Sequence, residues 1–194
     1  SDYLGEFNIH ADTVYPIERK MLTGIYEKSA IKIIGELVKE GDICFDIGAN
    51  IGVFSLYAAL IKGTKIIALE PSAESFATLN ANIRLNGLEE KIEAYCLAAS
   101  NETKLMKLFM KDTESGASHN SIEKSENQFG AFKVGGEQAI ISIKLDDLTE
   151  LIGSTRPDHI KLDVDGNELQ VLKGSGELLQ NPSVKSILVE MVDD

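Results

Sequence analysis

The sequence predicts an α/β fold, a doubly wound and mostly parallel sheet, and three observations predict it. Short apolar runs alternate with stretches of helical periodicity. The connections between them are short, which specifies parallel pairing through right-handed crossovers. The composition, 43% hydrophobic and 26% charged with 16 Gly and 4 Pro in 194 residues, is that of a globular chain able to bury roughly 70% of its surface. One domain over residues 1–194 is the expectation.

Residues 1–40 read as an N-terminal helical segment, since Ile25, Ala30, Ile33, Ile34 and Leu37 recur at helical spacing before Gly41 stops the pattern. Ile43 to Ile47 is a short buried strand. Val53 to Ile61 is apolar nearly all round and too long for a typical strand, so it reads as a helix packed on a sheet. Lys65 to Leu69 is the second strand. Pro71 and Ser72 open a helix with Phe76, Leu79 and Ile83 on one face, and Asn86-Gly87 ends it. Ile92 to Ala98 is the third strand.

The rhythm changes after Ser100. Leu105 to Met110 and Ala139 to Ile143 read as strands around a polar, Gly-bearing stretch from Lys111 to Gln138, so residues 101–144 are an inserted hairpin with a mobile tip. Alternation resumes over residues 145–194, with a strand at His159 to Asp163, a helix from about Glu168 and a last strand at Lys185 to Glu190.

Charge narrows the function. Nineteen basic residues against 31 acidic ones give −12 at pH 7, and the residues from Ile140 onward carry 11 acidic side chains against 5 basic ones. Nucleic acid and anionic membrane both require basic groups that displace counterions, so neither is expected as a partner. No apolar run approaches the ~20 residues that span a bilayer, and Ser1 to His10 lacks a basic segment followed by an apolar one. A cytoplasmic protein is expected. Cys44 and Cys96 both fall in apolar runs assigned to the first and third strands, which with one strand between them puts them about 10 Å apart and beyond disulfide reach, so both are expected as small buried hydrophobes.

The most informative segment is Phe45-Asp46-Ile47-Gly48-Ala49-Asn50-Ile51-Gly52, an acid at the end of a strand followed by a Gly-x-x-x-Gly turn into a helix. It reads either as a cofactor cleft, with glycines admitting a ligand and a helix start offering free N–H groups, or as a tight turn needing glycine for backbone reasons alone. The next strand ends in Ala68-Leu69-Glu70, which puts a second carboxylate beside the same cleft at the spacing expected for gripping ribose hydroxyls. Asp46 opposes the pyrophosphate of a nicotinamide dinucleotide, and the third glycine of Gly-x-Gly-x-x-Gly is absent. S-adenosylmethionine carries no phosphate and brings an ammonium and a sulfonium, so electrostatics favours it.

Phe45 to Gly52 with Glu70 resembles the first two motifs of class I S-adenosylmethionine-dependent methyltransferases. A second block narrows the likeness. Ile143-Lys144-Leu145-Asp146-Asp147-Leu148, then Ile160-Lys161-Leu162-Asp163-Val164-Asp165-Gly166-Asn167-Glu168 and Val171-Leu172-Lys173-Gly174, resemble the FkbM family of methyltransferases, as does Ser115 to Ile122. The resemblance runs from about Gly41 to Glu190. It implies a Rossmann-like sheet, S-adenosylmethionine as cofactor, and methylation of a hydroxyl on a sugar or natural product. It places residues 41–100 as the cofactor half, with Asp46, Gly48, Asn50, Gly52, Glu70, Ser72, Ala98 and Asp163 as the cofactor-binding set. Two features depart from the pattern. The family usually has Glu where Asp165 stands, and the class I sheet continues past its fifth strand into a helix and an antiparallel pair, whereas this sequence ends at Asp194. Either a fragment or another cover for the exposed edge of the fifth strand is expected, and Ser1 in place of Met agrees with the first.

Methyl transfer from a sulfonium needs an aligned acceptor and a dry cleft, and a hydroxyl acceptor gains from a base. Lys161, Asp163, Asp165 and Glu168 are the catalytic candidates. Lys161 and Asp163, two apart on one strand face, are alternatively a structural ion pair. Asp165-Gly166 is alternatively a turn with Asn167 capping the next helix. His119 is either a base over the cleft or a solvated loop histidine, and Lys111 to Gln138 is read as a lid over the acceptor. No metal site is expected, because no ligand spacing is diagnostic. The rival readings are a nicotinamide-dependent oxidoreductase and a non-catalytic module keeping the fold. A nucleic-acid methyltransferase is disfavoured by charge and by the lack of an Asn/Asp-Pro-Pro-aromatic motif.

Overall fold

A computed structural model describes residues 36–111, 113, 121–122, 126–127, 130–131 and 133–190. Its centre is a five-stranded sheet of β1 (Ile43–Ile47), β2 (Lys65–Leu69), β3 (Ile92–Tyr95), β10 (His159–Leu162) and β11 (Ser186–Val189), in the order β11-β10-β1-β2-β3. Every pairing in it is parallel, with Asp46 opposite Ala68 on one side and Lys161 on the other. These strands are nearly continuous apolar runs because helices cover both faces, as parallel sheets require.

The pleat divides the core into two layers. On one face Cys44, Ile66, Ala68 and Ile92 pack with Phe54, Leu56 and Ala58 of α1 (Val53–Lys62) and Leu79 and Ile83 of α2 (Ala73–Leu85). On the other, Phe45, Ile47, Leu69, Ile160 and Leu162 meet Leu145 and Leu148 of α3 (Leu145–Leu151), Val171 of α4 (Glu168–Lys173) and Leu178 of α5 (Gly176–Leu179). The α2 helix starts where its cap predicts: the Ser72 hydroxyl accepts the Ser75 N–H at 3.3 Å, Glu74 lies in the first turn, Asn86 is the C-cap, and Gly87 follows at φ 64°.

A second sheet runs β4-β9-β5-β6. Its backbone is the antiparallel pair of β5 (Lys104–Met110) and β9 (Gly136–Ile143), flanked by β4 (Ala98–Ala99) and β6 (Ser121–Ile122) around Leu108, Met110 and Ile140. A short antiparallel pair joins β7 (Glu126–Asn127) to β8 (Gly130–Ala131).

Four expectations need amending. The third strand ends at Tyr95, the Leu97 N–H turns back to the Tyr95 carbonyl at 2.9 Å, and Ala98 belongs to the second sheet opposite Ser142. Cys96 is consequently exposed just past β3, whereas Cys44 is buried as expected and its thiol is pushed up to about 12, chiefly by burial. Residues 145–151 form a helix that the motif reading had passed over. β9 begins at Gly136, three residues before the expected start. Apart from Glu36 and Leu37, the helix expected at Ile25 to Leu37 lies outside the described residues, as do His10, His119 and half of the Lys111 to Gln138 lid, whose described end belongs to β9. Among the described residues, no helix is long and apolar enough to cross a membrane.

Candidate active site

Strand order reverses between β1 and β10, and in open parallel sheets the crevice at the carboxyl ends beside such a reversal is where ligands bind. The ends delivered there are Gly48 after β1, Glu70 after β2, Cys96 after β3, Asp163 after β10 and Glu190 after β11.

Glu70 is 7% exposed, and each of its oxygens takes one backbone N–H at 2.8 Å, Oε2 from Asn50 and Oε1 from Ser72. Burial pushes its carboxyl up to about 7 against the opposing pull of those two amides. A carboxylate oxygen has two lone pairs, so each oxygen keeps one acceptor position beyond its amide. Asn50 reaches Glu70 by adopting φ 50°.

Asp46 is wholly buried on the α1 side of the sheet. Its Oδ2 accepts the Ser55 hydroxyl at 2.6 Å and its Oδ1 lies 3.3 Å from Lys161 Nζ. The sequence places Asp46 as one of two acids facing the cleft. Instead Lys161 neutralises it, and the same ammonium pairs with Asp163 Oδ2 at 3.2 Å and donates to the Gly48 carbonyl at 2.9 Å. Lys161 thus fastens the loop after β1 to the loop after β10.

The glycine turn is also more committed than expected. The N–H groups of Gly48 and Ala49 both donate to Leu69 O, that of Asn50 to Glu70, and that of Gly52 to Ala49 O, so these four are not free for a ligand. Gly48 is required for closeness: at φ 79°, a Cβ there would fall 1.7 Å from the Asp163 carbonyl oxygen. Gly52, at φ 92°, starts α1, and a Cβ on it would lie 2.4 Å from the Leu79 side chain.

Beyond β10, Asp165 adopts φ 56°. Glu168 accepts the Val164 N–H at 3.0 Å and the Gly166 N–H at 3.2 Å through one oxygen, which fixes the loop. Asn167 makes no side-chain cap and donates to Ala99 O at 3.2 Å instead. Ser72 caps α2, and Ala98, 1% exposed, packs within the second sheet. The structure therefore brings Gly48, Asn50, Glu70 and Ser72 into one linked cluster, and Asp46, Lys161 and Asp163 into a second one joined to it through Gly48. Ala98 belongs to neither.

Three partners were not visible in the sequence. Ser55 holds Asp46 from one turn inside α1. Glu190 follows β11, its N–H donates to Leu162 O at 2.9 Å, and its carboxyl hydrogen-bonds Asp163, which together with burial pushes it up to about 8. Gln138 of β9 reaches the turn that carries Glu70, donating to Pro71 O at 2.8 Å and accepting the Ala73 N–H at 3.0 Å. A sheet order would have found Glu190; a polar residue at a strand's start was the only trace of Gln138.

A parallel sheet of this order, with helices on both faces, is a Rossmann-like α/β fold. Residues 46–193 match the methyltransferase FkbM domain, and the chain belongs to that family. It is 29% identical over 168 residues to the hexuronic acid methyltransferase AglP of Haloferax volcanii, covering 85% of this chain and 62% of the relative. It is 28% identical over 154 residues to the methyltransferase sdnD of Sordaria araneosa, covering 68% and 60%. It is 25% identical over 179 residues to the 31-O-demethyl-FK506 methyltransferase FkbM of Streptomyces tacrolimicus, covering 82% and 68%. The chain thus spans about three fifths of the length of the first two of these relatives. A solved S-adenosylmethionine-dependent methyltransferase from Agrobacterium tumefaciens aligns with a TM-score of 0.45 and 15% identity, over 94% of this chain and 47% of that one.

Proposed function

We propose that the chain is the cofactor-binding part of an S-adenosylmethionine-dependent O-methyltransferase acting on a hydroxyl of a sugar or natural-product acceptor. The observation that carries the reading is Glu70: a buried carboxylate at the carboxyl edge beside the strand-order reversal, keeping one acceptor position on each oxygen, suits two vicinal hydroxyls of a ribose. The family and the names of its relatives support the same class, two of them named for sugar-acid and demethylated natural-product substrates.

When bound, the cofactor supplies an activated methyl group on a sulfonium. The chain's residues then have three tasks. Glu70 accepts the hydroxyl hydrogen bonds and, with Asp163 and Asp165, makes the crevice negative where a cation is to sit. Lys161 holds the two loops of the crevice together through Asp46, Gly48 and Asp163. Asp163, one-third exposed, is placed to orient an acceptor hydroxyl and take its proton, while Glu190 donates its own hydrogen bond to it. Glu168 and Ser72 act as loop fasteners, and Asp165 supplies charge.

The test is methyl transfer from S-adenosylmethionine to a panel of uronic acids, neutral sugars and polyol natural products, read by mass spectrometry. Methylation at oxygen is expected. Methylation confined to nitrogen or sulfur, or failure to bind the cofactor at all, would refute the reading.

A further inference from the structure

Gln138 lies on β9, in the second sheet, yet its side chain leaves that sheet to grip the turn that carries the proposed cofactor carboxylate. Its amide makes two hydrogen bonds to two successive peptide groups: Nε2 donates to Pro71 O at 2.8 Å, and Oε1 accepts the Ala73 N–H at 3.0 Å. The partners fix which end of the amide is which, since an N–H faces one and a carbonyl the other. At this length only an amide offers a donor and an acceptor together.

The Pro71 carbonyl and the Ser72 N–H belong to the same peptide group, which is planar and rigid. Gln138 holds the carbonyl end of that plane; Glu70 Oε1 holds the N–H end at 2.8 Å. The plane cannot rotate to release Gln138 without swinging the Ser72 N–H away from Glu70. The sulfur of Cys96, 3.7 Å from the same Pro71 carbonyl, adds a weaker contact from the end of β3.

We infer that Gln138 is a positioning residue for the cofactor: through the Pro71–Ser72 peptide it sets the direction of the Glu70 carboxylate, so that the second sheet controls cofactor affinity. This rests on the reading of Glu70 given above. Gln138 touches neither the reacting atoms nor, by this account, the cofactor.

The experiment measures S-adenosylmethionine and S-adenosylhomocysteine affinity by calorimetry for Gln138→Ala, Gln138→Met and Gln138→Glu, each alone and combined with Glu70→Ala. Thermal melts verify that each variant folds, and the methionine variant, similar in size, serves if the alanine variant does not. Each single change at position 138 is expected to weaken cofactor affinity about tenfold. Turnover at saturating cofactor is expected to stay within about twofold, so that KM carries the loss. In the Glu70→Ala background the same changes should cost nothing further, because the carboxylate they aim is gone. A purely structural role would lower affinity equally in both backgrounds and would overturn the inference, as would wild-type affinity in the three single variants while Glu70→Ala is impaired. If Glu70→Ala itself binds normally, the cofactor reading falls and takes this inference with it.

Discussion

The two ends of the parallel sheet are built from the same five strands and hold charge in opposite ways. At the amino end, Lys185 lies 2.7 Å from Asp42 and 2.9 Å from Asp158, and His159 bridges Asp42 at 3.0 Å and the Ser186 hydroxyl at 2.8 Å. Asp42 Oδ2, which meets His159, also accepts the Lys39 N–H, and Asp158 Oδ2 accepts the Ile43 N–H, each at 2.8 Å. Acids and bases satisfy each other there. At the carboxyl end, Asp46, Glu70, Asp163 and Asp165 gather near the ammonium of Lys161, Glu190 is held up at about 8 beside Asp163, and Asn50 and Asp165 sit at positive φ. Unbalanced charge and backbone strain of this kind cost stability and persist at working sites. The amino end holds the fold, and the carboxyl end is the one proposed above to take the cofactor.

Removing the fit between the two crevice loops should have the largest effect. Gly48→Ala places a methyl against the Asp163 carbonyl, and a loss on the order of 4 kcal/mol is expected in urea unfolding. A loss under about 1 kcal/mol would mean the loops separate freely and the crevice is not fixed.

The amino end should fail differently. Asp42→Ala leaves His159 without its carboxylate and Lys185 with Asp158 alone, and should destabilise by about 3 kcal/mol with cofactor affinity unchanged. In the wild type, burial would push Asp42 up, but Lys185, the Lys39 amide and His159 outweigh it and hold it at about 2, below its ordinary 3.8. A group depressed in the folded state stabilises above its unfolded value, so about 2 kcal/mol should be lost as pH falls from about 4 to about 2. Acid titrations of wild type and variant, followed by circular dichroism, check this: the variant should lack that loss.

Asp163→Asn should separate chemistry from binding. Single-turnover rates with a working acceptor are expected to fall at least about 100-fold while cofactor affinity stays within about threefold. A loss of affinity instead would make Asp163 a cofactor-positioning group.

The strands at Ile43–Ile47 and Lys65–Leu69 were fully legible because buried parallel strands are apolar runs with glycine or acid punctuation, and Ser72 announced α2 by cap chemistry. The run from Ile92 to Ala98 hid a change of sheet, since Tyr95 and Ala98 are equally apolar on either side of the turn. The helix at Leu145–Leu151 has Lys144 as N-cap with no side-chain cap, so only Asp146 and Asp147 in its first turn marked it. Glu70 was legible from position alone. That Lys161 neutralises Asp46, that the Gly48 turn spends its amides on Leu69, and that Gln138 reaches Pro71 across 67 residues all depend on which loops meet in space.

The central claim is that Glu70 holds the cofactor, and calorimetric titration with S-adenosylmethionine between pH 7 and pH 5.5 tests it most directly. Because burial raises the Glu70 carboxyl to about 7, wild-type affinity should weaken as pH falls, approaching about tenfold per unit as the acceptor is protonated. Glu70→Ala should bind about 100-fold more weakly at pH 7, having lost two charge-assisted hydrogen bonds, and its affinity should be flat across the range. Equal affinity in the two proteins, or the same pH slope in both, would contradict the account.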